Sequence, residues 1–256
     1  MTYVQLGPVH TWYDEHGSGE PLVLMHGGLV DARFFAPNLP ALAERFHVFT
    51  PERRGHGHTP DVEGPISYQL MADDTIAFLE QVVGEPADLV AHSDGAFVAL
   101  LIGIQRPELV KRLVLISGGF DKSGEAAPDM EWDVAAITSF LGSTYGEVSP
   151  DGEEHFPVVA TKVGEMAAKE PHLDVAELGR VTARTLLLFA DDDLVTRQHC
   201  VDMYEAMPTA ELAIVPGTSH FLTQEKPHLV NAIVLDFLTN EPVPTTAPIR
   251  RAPTAG

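Results

Sequence analysis

Short, solid runs of apolar residues punctuate this chain, and between them lie longer stretches whose apolar positions recur at helical spacing. The runs are Leu22 to Met25, Phe46 to Thr50, Leu89 to Ala91, Leu113 to Ile116, Thr185 to Ala190 and Glu211 to Val215. A strand covered on one face alternates apolar and polar residues, whereas one covered on both faces is apolar throughout. These runs therefore predict buried parallel strands. Helices are expected across Ala36 to Arg45, Ser67 to Val83 (with Ser67 as its start signal), Ala96 to Ile104, Gln198 to Met207 and Pro227 to Leu238. Two short strands, Tyr3 to Leu6 and Val9 to Asp14, meet at Gly7-Pro8, and Glu15 to Pro21 reads as a cluster of turn residues. Strand and helix in alternation define an α/β fold, a mostly parallel sheet with helices on both faces.

The rhythm breaks from Ser117 to Arg180. That stretch is rich in Gly, Pro and acid, with 13 acidic against four basic residues from Asp121 to Arg180 and amphipathic pieces such as Trp132 to Leu141. It reads as a small helical lid inserted over the sheet edge, where it would exclude water and shape specificity. The expected organisation is a core of residues 1–119 and 181–240, a lid of residues 120–180, and a Pro-rich disordered tail of residues 241–256.

Composition narrows the function. At 256 residues with 45% hydrophobic content, the chain suits one large domain with a sizeable core. A formal net charge of −21 argues against nucleic acid and anionic membranes as partners. A single cysteine, Cys200, excludes an internal disulfide and a Cys-based zinc site. Met1 to Gln5 form no basic and apolar leader, and no run of about 18 apolar residues occurs, so a soluble, cytoplasmic protein is expected. Monomer and homodimer fit equally.

The chemistry gathers where strands end. Between the strand at Leu89 and the helix at Ala96, His92-Ser93-Asp94-Gly95 leaves little room to turn. A turn that sharp needs small residues two positions either side of its apex. Ala91 and Gly95 meet that need if Ser93 is the apex; with Asp94 there, His92 would be too large. This is the nucleophile elbow G-x-S-x-G with Ala in the first place. The strand at Leu22 runs into His26-Gly27-Gly28-Leu29, whose glycines leave backbone N–H groups bare for an oxyanion. Asp191-Asp192-Asp193 ends the strand at Thr185, and Pro216-Gly217-Thr218-Ser219-His220-Phe221 is read as the loop after the strand at Glu211. In the loop Pro51 to Thr59, His56 and His58 lack the carboxylate or Cys frame of a metal site, and Arg53 or Arg54 is expected to brace the site.

Ligands of open parallel sheets sit at the C-terminal strand ends, and Ser93, Asp193 and His220 each follow one, in the order Ser, Asp, His. On these motifs, with Arg54-Gly55-His56-Gly57 and Ala190-Asp191-Asp192-Asp193, the chain resembles the α/β-hydrolase superfamily, in its lidded serine-hydrolase form, over about residues 10–240. The resemblance places the acid at the fourth position of a G-x-x-D turn, here Asp193 with Ala190 in the Gly place and Asp192 in reserve. It implies Ser93 as nucleophile, His220 as base and Asp193 as its orienting acid, with the N–H groups of Gly28 and Asp94 as oxyanion hole. No cofactor and no metal are expected.

The expected partner is a small-molecule acyl substrate. A carboxylate at Asp94 and an acidic lid favour a neutral or cationic ester, lactone or related compound; Asp94 instead braced by the Arg53-Arg54 or oxyanion loop is the competing account. Leu29 and Trp132 join Asp94 as substrate-contact candidates. Alternatives are a hydrolase-fold ligand receptor with slow turnover, an amidase or aminopeptidase, a carbon–carbon bond hydrolase and a cofactor-free perhydrolase.

Overall fold

The computed structural model describes residues 2–127, 129, 131–242 and 245–248. Most of the Pro-rich tail lies outside the described residues. Strands β1 (Thr2–Leu6) and β2 (Val9–Tyr13) pair antiparallel as a separate hairpin, with Leu6 opposite Val9. Among the described residues the main sheet has seven strands. Its members in chain order are β3 (Glu15–Gly17), β4 (Glu20–Met25), β5 (Phe46–Phe49), β6 (Ala87–His92), β7 (Val110–Ile116), β8 (Arg184–Asp192) and β9 (Ala210–Ser219). Across the sheet they run β3-β5-β4-β6-β7-β8-β9, and only β3 is antiparallel to its neighbour.

Both faces are covered, as the solid apolar runs require. Val23, Met25, Leu89, Leu113, Leu115, Leu187 and Phe189 point to one side, among the residues of α2 (Tyr68–Phe78), α3 (Asp94–Gln105) and α6 (Arg197–Ala206). Leu22, Leu24, Val90, Val114, Ile116, Leu186 and Leu188 point to the other, against α1 (Leu39–Ala43) and α8 (Pro227–Thr239). Each such side chain, fully removed from water, contributes about 1.5–3 kcal/mol before chain entropy is counted. Helix α3 is buried from Gly95 to Ile104, which is why its sequence shows an apolar block rather than an amphipathic stripe.

Several boundaries move. The turn cluster at Glu15 contains β3, which gives the free edge of β5 hydrogen-bond partners. The helix expected at Ala36–Arg45 is a 3-10 turn at Ala32–Phe35 followed by the short α1, because Pro40 is tolerated only in a first turn. The helix expected across Ser67–Val83 is regular only to Phe78. It continues as a wide turn through Val83 and is closed by Gly84 in the left-handed region at φ 73°. The segment read as a loop from Pro216 continues β9 to Ser219, paired with Asp192; Pro216 is tolerated because β9 is an edge strand.

Between β7 and β8 lie α4 (Val134–Gly146) and α5 (Phe156–Ala167), and α7 (Leu222–Glu225) precedes α8. Arg33 ties the inserted segment to the core through Glu147 at 2.7 Å and the Thr144 carbonyl at 2.7 Å, and Lys162 on α5 pairs with Asp61 at 2.6 Å. No helix among the described residues is long and apolar enough to cross a membrane.

Candidate active site

Three described residues other than glycine have positive φ: Leu29 at 59°, Ser93 at 54° and Ser117 at 51°. They follow β4, β6 and β7, three neighbouring strands, at the same sheet edge. Backbone strain of this kind costs about 1–3 kcal/mol per residue and persists where packing over-determines it. At Ser93 the packing is explicit. Its N–H donates to the Ile116 carbonyl at 2.9 Å, and a Cβ on Gly95 would stand 2.5 Å from the Met25 carbonyl oxygen. Only glycine lets α3 leave β6 so steeply.

The strain holds the Ser93 hydroxyl above the sheet, 3.0 Å from His220 Nε2. His220 Nδ1 lies 2.8 Å from Asp193 Oδ1. Asp193 Oδ2 accepts from the Ala190 N–H at 3.0 Å and from the Ser117 hydroxyl. Burial pushes the Asp193 carboxyl up, but the hydrogen bonds from His220 and Ser117 and the His220 charge outweigh it and hold it below the usual carboxylate range. An ionised Asp193 selects the tautomer with the proton on Nδ1, which leaves Nε2 free to accept from Ser93. The arrangement can therefore draw a proton from a serine hydroxyl as that oxygen attacks a carbonyl. Asp192 is exposed and paired with Ser219 in the sheet, so Asp193 alone of the acidic run reaches His220. Asp191 instead accepts the Thr218 N–H at 3.0 Å and fixes the strand before His220.

Three positions that sequence reasoning passed over belong here. His92 is stacked on Phe34 at 4.5 Å and lies 2.8 Å, through Nε2, from the main-chain carbonyl of His220. Burial and the neighbouring His220 charge lower it to about 3, so it is neutral and Nε2 carries its proton. Ser117 is the first polar residue after β7, and that position at the sheet's upper edge was the available signal. Tyr68, by contrast, reaches the site from the start of α2 with no local motif to announce it.

Asp94 hydrogen-bonds neither competing loop. Its Oδ1 accepts from the Tyr68 hydroxyl at 2.6 Å, while Oδ2 bends over Gly28, where a Cβ would come within 2.3 Å of it. Leu29 opens onto a cavity of about 200 Å3 between the loop after β4 and helices α4 and α5, where Phe34, Leu141 and Phe156 share the lining with Asp31, Arg33 and His56. Trp132 is a correction: it lies elsewhere. Its indole N–H requires an acceptor and finds the Ala160 carbonyl at 3.0 Å, which draws the ring over Gly164 into a separate cavity with Lys122 and Leu194.

The bracing expected of the basic pair is divided. Arg54 forms a buried two-pronged pair with Asp74 at 2.7 and 2.8 Å. Arg53 turns inward to the Gly27 carbonyl at 2.8 Å.

A strained serine above a parallel sheet, joined to a histidine and an acid on two later strand ends, defines the hydrolase class of the α/β architecture. The sequence profile of the Alpha/beta hydrolase family matches residues 22–233, and the chain belongs to that family. It is similar to a putative carbamate hydrolase RutD of Azorhizobium caulinodans, 24% identical over 93% of this chain and 98% of that protein. A stretch of 114 residues, 44% of this chain and 43% of that protein, is 30% identical to the (E)-2-((N-methylformamido)methylene)succinate hydrolase of Acinetobacter baylyi. The fold superposes on the enol-lactonase from Burkholderia xenovorans LB400 with a TM-score of 0.77 at 18% identity, covering 93% of this chain and all of that one. The chain is a hydrolase.

Proposed function

We propose that this hydrolase cleaves a small neutral or cationic carboxylic ester, lactone or related acyl compound through an acyl-enzyme on Ser93. The observation that carries the reading is the unbroken hydrogen-bond chain Ser93–His220–Asp193, at 3.0 and 2.8 Å, built on a strained elbow.

In this mechanism Ser93 Oγ attacks the acyl carbonyl while His220 Nε2 takes its proton. Asp193 holds the ring and stabilises the imidazolium that forms. The carbonyl oxygen, now negative, receives the N–H groups of Gly28 and Asp94. His220 then protonates the departing alkoxide or amine, and water enters by the same route to release the acid. The cavity beyond Leu29, whose apolar lining is joined by Asp31, Arg33 and His56, supports a compact substituent. Residues 120–180 act as the lid, latched to the core by Arg33 and Lys162. The similarity to relatives named for carbamate and amide-like substrates extends the candidate bonds from esters to C–N acyl bonds.

The test is hydrolysis of p-nitrophenyl acetate and butyrate by wild type and Ser93→Ala, with a fluorophosphonate label located by mass spectrometry. Turnover lost in the variant, with the label on Ser93 of wild type, is expected. A wild type that neither turns over nor takes the label would sink the reading.

A further inference from the structure

Arg53 is buried at 6% exposure, yet its guanidinium has no carboxylate bonded to it. Its Nη2 donates to the Gly27 carbonyl at 2.8 Å, and Nε and Nη1 are buried with no hydrogen-bond partner among the described residues. Leaving a buried cation so poorly paired is expensive. The Gly27 carbonyl takes a second donor. His26 Nε2 faces the Arg53 main-chain N–H at 3.3 Å and so carries the lone pair, which puts the ring proton on Nδ1, 2.8 Å from the same Gly27 oxygen. Burial and the Arg53 charge hold His26 well below its ordinary value, hence neutral.

The Gly27 carbonyl and the Gly28 N–H are two ends of one peptide group. Two donors on the carbonyl end fix that plane and draw electron density toward the oxygen. Its N–H becomes a stronger donor for the oxyanion that the acyl-transfer reading assigns to it. Over the Gly28 end of the same peptide bends the Asp94 carboxylate, a negative charge that opposes an oxyanion there. We propose that Arg53 is a positioning residue of the oxyanion site: its buried positive charge acts through the Gly27–Gly28 peptide and offsets Asp94. The inference rests on the acyl-transfer reading above.

The probe is a trifluoromethyl ketone labelled with 13C at its carbonyl. Ser93 Oγ bonds to that carbon, the hydroxyl proton passes to His220, and the carbonyl π pair becomes the hemiketal oxyanion, whose pKa is read by 13C NMR titration. Arg53→Met is expected to raise that pKa by about one unit or more. It should also lower kcat on p-nitrophenyl acetate by about 10- to 100-fold with KM changed less than about threefold, somewhat less than the loss of a whole oxyanion donor. Arg53→Lys, which keeps the charge, should keep kcat within about fivefold and the pKa within about half a unit. If Arg53→Met does not fold, Arg53→Gln carries the same expectation. An unchanged oxyanion pKa in the neutral variants, or a loss in Arg53→Lys equal to theirs, would overturn the inference. A wild type that forms no adduct would instead overturn the acyl-transfer reading on which it stands.

Discussion

Ser117 and His220 divide the Asp193 carboxylate between them: the imidazole takes Oδ1 and the hydroxyl takes Oδ2. Ser117 adopts φ 51° to do so, and its N–H is anchored on the Leu188 carbonyl at 2.9 Å. The carboxylate that holds the His220 ring is thus itself held, from the neighbouring strand.

Loss of that hydroxyl has a predictable cost. A hydrogen bond to a charged group is worth about 1.5–3 kcal/mol, so Ser117→Ala should lower kcat/KM at neutral pH by about tenfold or more. The Asp193 carboxyl should rise toward its ordinary value, because the Ser117 hydrogen bond is one of the contacts that hold it down. Ser117→Gly loses the same hydroxyl but tolerates the positive φ. It should match the alanine variant in rate while being more stable by up to about 1 kcal/mol. Activity equal to wild type in both variants would show the bond to be idle.

Gly95→Ala tests the elbow itself. The added Cβ would sit 2.5 and 2.6 Å from the carbonyl oxygens of Met25 and His26, so α3 must back away from β4. Overpacking of this kind costs about 1–3 kcal/mol, which for a chain of this size lowers Tm by roughly 3–10 °C. Fluorophosphonate labelling of Ser93 should fall with it. A variant of wild-type Tm and labelling rate would mean that the turn has slack.

Glu52 gives a pH-dependent stability. It is buried and accepts the N–H groups of His58 and of Ala32, the latter at 3.2 Å. Burial, aided by the Asp31 charge, pushes its carboxyl up to about 8 in spite of those donors. The folded state therefore keeps a proton that the unfolded chain has released above its ordinary value. This contribution is complete below about pH 4.5 and declines as pH rises toward 8. Measured by urea unfolding at pH 5, 6.5 and 8, Glu52→Gln should gain stability relative to wild type with rising pH. A constant difference would contradict the assignment.

Asp94 predicts a substrate preference. Its Oδ2 stays uncommitted beside Gly28 while Tyr68 holds Oδ1. A glycine p-nitrophenyl ester should be favoured over its N-acetylated form by about two- to fivefold, the range of a partly exposed ion pair. Asp94→Asn should abolish the preference. Persistence of the preference in the variant would assign Asp94 to structure alone.

The α/β architecture and the Ser93, Asp193 and His220 positions were legible in the chain because each rests on a local rule. Solid apolar runs mark strands buried on both faces, and Ala91 and Gly95 must flank Ser93 wherever β6 turns into α3. Boundaries were less legible. Whether Glu15–Gly17 pairs or turns depends on the free edge of β5, about 30 residues away in sequence, and whether Pro216 ends a strand depends on which side of β9 lies open.

The sequence by itself determined the order of elements and which residues end on strand tips, since backbone sterics and apolar periodicity act within a few residues. Only the tertiary structure decided which side chains complete the site. Ser117 and Tyr68 reach Asp193 and Asp94 from 76 and 26 residues away, and Trp132 is carried off by a carbonyl on α5. Arg53 and Arg54, adjacent in the chain, part to opposite tasks. Hydrogen-bond partners are chosen by distance in space, and that distance exists only after the sheet has set its strands in register.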